Sequence, residues 1–81
     1  PAADWPTTES VGNFVRARLF PKEPIARNTE SAFFKAAQAH KLGMPLMHEA
    51  DMGAWRIQAC ALGAVVARIG DWGNVRVYPA P

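Results

Sequence analysis

Cysteine is nearly missing from this 81-residue chain. A single residue, Cys60, cannot close an intrachain disulfide, so the fold must be held by its apolar core. The flanking QACALG marks the thiol as a small buried side chain and not a reactive one. Long apolar runs are missing too. ACALGAVVA is far too short to span a bilayer, and no basic start followed by an apolar stretch marks a secretory leader. The expectation is a soluble cytoplasmic protein with no membrane partner. Charge of one sign is not concentrated either: nine Lys and Arg oppose seven Asp and Glu, a formal +2. Only Arg16, Arg18, Lys22 and Arg27 cluster, with Glu23 as the one acid among them. Nucleic-acid binding ordinarily draws on several phosphate contacts, so this cluster gives that class limited support.

The motifs of common chemistries are absent as well. GDWG reproduces neither GxGxxG nor the phosphate loop that ends in Lys-Ser/Thr, and neither Ser10 nor Ser31 stands in GxSxG. HEAD offers His48, Glu49 and Asp51 in one short stretch but lacks the spacing that puts two histidines on one helical face, and His40 lies in a preceding helix. Asp51 reads more simply as a helix cap. A small enzyme or metal site around His48 is therefore a minor alternative, and no metal, cofactor or catalytic residue is assigned.

What is present is enough for one small domain: 49% hydrophobic residues and 10% aromatics, between turn-rich ends at 1–6 and 79–81. In TTESVGNFVRARLFP, Val11, Phe14, Val15, Leu19 and Phe20 recur at helical spacing behind Thr7 or Thr8, which predicts a helix over 8–20 closed by Pro21. A second helix over 30–42 carries Phe33, Phe34, Ala37 and Leu42, capped by Asn28 or Thr29 and stopped by Gly43 and Pro45. Met52, Trp55, Ala59 and Leu62 follow at spacings of three, four and three, which predicts a third helix over 51–62 with Trp55 as its core anchor. Trp5 reads as a packing residue at the start of the first helix.

AVVARI and NVRVYP are rich in Val, Ile and Tyr and predict strands over 64–69 and 74–79, joined through GDWG. The expected fold is thus α+β, a compact three-helix domain with a C-terminal two-stranded β-hairpin in a winged-helix-like order. The competing reading is mainly α, because the apolar period of the third helix continues through Val66 and Ile69 to a stop at Gly70.

A winged-helix order suggests DNA recognition, but the expected third helix is poor in the Arg, Lys, Asn and Ser that read base edges. The preferred function is a noncatalytic protein-interaction module, a small regulator or inhibitor. Trp72 at the hairpin tip, flanked by Arg68 and Arg76, forms the candidate protein-binding patch. The alternative is a nucleic-acid-binding regulator using Arg16, Arg18, Lys22 and Arg27 together with the tip.

Overall fold

The computed structural model describes residues 4–80, so residues 1–3 and 81 of the turn-rich ends lie outside the described range. The elements run α1 (Thr8–Arg16), α2 (Ala32–Ala39), β1 (Ala50–Met52), β2 (Trp55–Cys60), β3 (Gly63–Arg68) and β4 (Val75–Tyr78). Thr7 caps α1 by accepting the Ser10 N–H at 3.0 Å, with Glu9 in the first turn and Arg16 in the last to complement the helix dipole. The helix stops short of the expected residue 20. Phe20 is left-handed, at φ 57°, and its N–H turns away to donate to the Leu46 carbonyl at 2.8 Å. α2 starts later than expected because Asn28 spends its side chain on the Glu30 N–H, and Ser31 becomes the cap by accepting the Phe33 N–H at 3.1 Å.

The four strands form one antiparallel meander in the order β1-β2-β3-β4. Alternation along the strands gives the sheet two covered faces. Trp55, Ile57 and Ala59 of β2, Ala64 and Val66 of β3, and Tyr78 of β4 pack with Met47 against Val11 and Val15 of α1. The intervening Cys60, Val65 and Ala67 pack against Phe33 and Ala36 of α2 and against Leu42. The two helices therefore lie on opposite faces of the sheet, each over its own cluster.

This overturns the three-helix expectation, including the variant in which a third helix runs to residue 69. The described residues are α+β with two helices, and residues 51–62 form most of β1 and β2 with their turns. The physical reason is that a short segment can match two periods at once. WRIQAC alternates as a strand, with Arg56 and Gln58 between Trp55, Ile57 and Ala59, while Met52, Trp55, Ala59 and Leu62 also match a helical period across the two turns. Leu62, the last residue of the supposed helical stripe, sits in the two-residue turn between β2 and β3 and is 68% exposed. Gly53, at φ 62°, makes the preceding turn by adopting a left-handed conformation that strains other residues. Asp51 is not a cap. It faces Arg56 across the β1–β2 hairpin, and the guanidinium Nε donates to its carboxylate at 2.7 Å.

Ahead of β1 the chain already runs beside β2, with Leu46 N–H donating to the Ala59 carbonyl at 2.8 Å and Pro45 opposite Cys60. From Pro45 to Ala50 is five residue steps, yet their partners Cys60 and Ile57 are only three apart, so residues 46–49 bulge out of the ladder. The Gln58 side chain closes the gap: its Nε2 donates to the Met47 carbonyl at 2.9 Å from a position only 7% exposed. Gln58→Leu is expected to cost about 1–3 kcal/mol in urea unfolding, because it strands that carbonyl without a donor. An unchanged midpoint would show that the bulge holds itself.

Candidate binding face on Arg68 and Arg76

Val66 pairs with Arg76 across β3 and β4, so Arg68, two residues beyond Val66, shares the α1-side face with Arg76. Both side chains are exposed near the open end of that face. The N-terminal segment supplies the surface they rest on. Tyr78 donates its hydroxyl to the Pro6 carbonyl at 2.6 Å, which ties residues 5–7 to β4 just ahead of the α1 cap. Trp5 is thereby laid on Trp55, ring centroids 4.5 Å apart. The Arg76 guanidinium lies 4.1 Å from the centre of the Trp5 ring, and that of Arg68 lies 5.4 Å from the centre of the Trp55 ring. Trp5, Trp55, Arg68 and Arg76 line a cleft of about 270 Å³ with Asp71, Asn74 and Val75.

A guanidinium drawn over a ring by cation–π attraction still keeps N–H donors to meet an oxyanion. Among the described residues neither Arg68 nor Arg76 has a carboxylate within ion-pair distance. The carboxylate of Asp71, in the same cleft, accepts twice from the Asn74 amide, at 3.0 and 3.1 Å. Arg56, on the opposite face, is a contrast. It bonds Asp51 and lies 3.7 Å from Glu49, and the hydrogen bond to Asp51 holds the Arg56 pKa above and the Asp51 pKa below their ordinary values. One arginine is neutralised in place, and two are left open.

Trp72 is not brought to these two arginines. Its ring meets Phe33 edge to face at 6.1 Å and lies under the Arg56 guanidinium at 5.6 Å, so it belongs to the α2 side while remaining 40% exposed. The basic segment is likewise divided. Arg16 bonds Asn13, and Arg18 lies 3.7 Å over Phe14 on α1. Lys22 shares a shallow surface with Arg18 and His48, whereas Arg27 stands 5.9 Å from the Phe34 ring on α2. His48 lies 3.8 Å from Glu23, both well exposed, and among the described residues no three His, Cys, Asp or Glu gather in a way that could hold a metal. Cys60 is buried, and burial pushes its thiol pKa up. Among the described residues no helix is long and apolar enough to cross a membrane.

Both arginines are visible in the sequence as flanks of the tip, whereas Trp5 carries no mark of belonging to their setting. An aromatic residue two positions ahead of a helix cap was its only local signal, and nothing nearby in sequence ties position 5 to position 55. Comparison with family models, with curated proteins and with solved structures finds no match for the chain, so the reading of this face rests on its own chemistry.

Proposed function

We propose that the chain is a noncatalytic protein-interaction domain that takes an acidic segment of a partner protein on the Arg68–Arg76 face. The observation that carries the reading is the pair of guanidiniums, each held over an indole and neither neutralised by a carboxylate of the described residues. A partner carboxylate would receive paired N–H donors there, while its apolar neighbours would cover the Trp5 and Trp55 rings. Protein is favoured over nucleic acid because Arg76 belongs to β4, the outer strand of the sheet. Among the described residues the backbone of β4 bonds only to β3, which leaves its far edge open to an added strand.

The test is calorimetric titration with an Asp/Glu-rich peptide and with its Asn/Gln counterpart. Saturable binding of the acidic peptide alone is expected, weakened by salt. Arg68→Gln and Arg76→Gln should each weaken it at least about tenfold, roughly 1.4 kcal/mol, without changing the fold. Trp72→Ala should leave the affinity within about twofold, since that ring lies on the other side of the sheet. Equal binding of the two peptides would sink the reading. So would retention of DNA in place of peptide, dependent on Arg16, Arg18, Lys22 and Arg27.

A further inference from the structure

On the α2 side of the sheet, away from Arg68 and Arg76, a cleft of about 310 Å³ opens between α2 and the segment 43–49. We infer that it is a binding site for a small molecule bearing a carboxamide or lactam group. Its apolar lining is Phe34 and Ala37 of α2 with Met44 and Pro45 opposite, the charged Arg27, Lys41 and Glu49 also line it, and its floor is Gln58 and Cys60 of β2. A concave cleft of this size that joins apolar side chains to oriented polar groups is a usual form of small-ligand site.

Gln58 decides the chemistry. Its amide is pinned by the bulge: the Met47 carbonyl requires a donor, so Nε2 faces Met47 and Oε1 must face away from it. Oε1 has no hydrogen-bond partner among the described residues, yet no buried side-chain oxygen or nitrogen among them is left unpaired. Oε1 therefore has access to open space, and the cleft that Gln58 lines supplies it. The second Nε2 proton is also unspent on protein. A donor and an acceptor thus stand side by side at the floor, already oriented, and the group that answers both at once is another amide edge, C=O to N–H and N–H to C=O. A carboxylate is disfavoured against Gln58, because it would set a second acceptor against Oε1. At the rim Met44 is 69% exposed, and its flexible thioether can close over ligands of different outline.

The inference is tested on the full chain, labelled with ¹⁵N, by titrating benzamide and, separately, benzoate. Benzamide is expected to give saturable shifts of the Gln58 side-chain NH₂ and of the Ala37 and Gly43 backbone amides. Benzoate, which has the same outline but carries a charge and no N–H, should bind at least tenfold more weakly. Ala37→Met, which fills the cleft from α2, should weaken benzamide at least tenfold while the rest of the spectrum is retained. Absence of saturable shifts at these residues overturns the site, as does equal binding of benzamide and benzoate or undiminished affinity in a folded Ala37→Met. If that variant unfolds, the benzamide and benzoate comparison on the unaltered chain decides alone. Since this face is opposite the arginine pair, its failure leaves the acidic-segment reading standing, and the converse holds.

Discussion

Trp55→Ala is expected to lower the free energy of unfolding by about 3–5 kcal/mol, a large part of what holds a small domain together. The ring is 8% exposed, starts β2, and belongs to the cluster that α1 closes with Val11 and Val15. Truncation removes its buried apolar surface and leaves a hole that a strand paired on both sides cannot relax to fill. It also takes the platform from two neighbours at once, since Trp5 stacks on this ring and Arg68 lies over it. Urea unfolding followed by far-ultraviolet circular dichroism gives the stability. Trp55→Phe, which keeps an aromatic face, should lose less and remain folded for titration with the acidic peptide. An unaltered midpoint for Trp55→Ala would remove the ring from the core and with it the fixed placement of Arg68.

Those contacts also show which parts of the molecule could be read from the sequence. α1 was legible because only one of its faces is covered: Val11 and Val15 are buried, Phe14 and Leu19 pack partly, and Asn13 and Arg16 stay in water. The end of α1 was not legible, because it depends on a bond from Phe20 to Leu46, a partner far along the chain. The last two strands were visible because Val, Ile and Tyr are concentrated there, and they lie at 63–68 and 75–78, close to the ranges the composition indicates. β2 was hidden by a competing period. Arg56 and Gln58 alternate with Trp55, Ile57 and Ala59 as a strand requires, but the segment is six residues long and Met52, Trp55, Ala59 and Leu62 fall at helical spacing across its turns.

The candidate face was legible in half. Arg68 and Arg76 are strand residues, and the hairpin register, with Val66 opposite Arg76, sets them on the same side. Trp72 is in a loop, where no alternation fixes a direction, and its side chain follows the nearest apolar partner, Phe33, to the other side. Grouping Trp72 with the arginines required treating a loop as though it had strand parity. The bulge at 46–49, and with it the orientation of Gln58, left no mark in local sequence, because a bulge is a mismatch between two strands and neither strand alone encodes it.

Phe33→Ala should be the other severe substitution, at about 3–5 kcal/mol. α2 has eight residues, too few to persist as a helix without tertiary support, and Phe33, 2% exposed, is the largest side chain it buries. Its ring closes the α2-side cluster over Val65, Cys60 and Ala67 and presents its flank to Trp72. The substitution therefore loses core packing and also removes the ring that Trp72 of the 69–74 loop meets edge to face. A double-mutant cycle with Trp72→Ala separates the two effects. The coupling is expected at about 0.5–1.5 kcal/mol, the range of an aromatic pair, with the remainder of the Phe33→Ala loss independent of Trp72. A coupling near zero, with both variants folded, would mean that Trp72 is not held by Phe33 in solution and that the loop is free to turn its indole toward Arg68 and Arg76. The cycle thus tests the core of α2 and also the division of the surface into two faces on which the binding proposal depends.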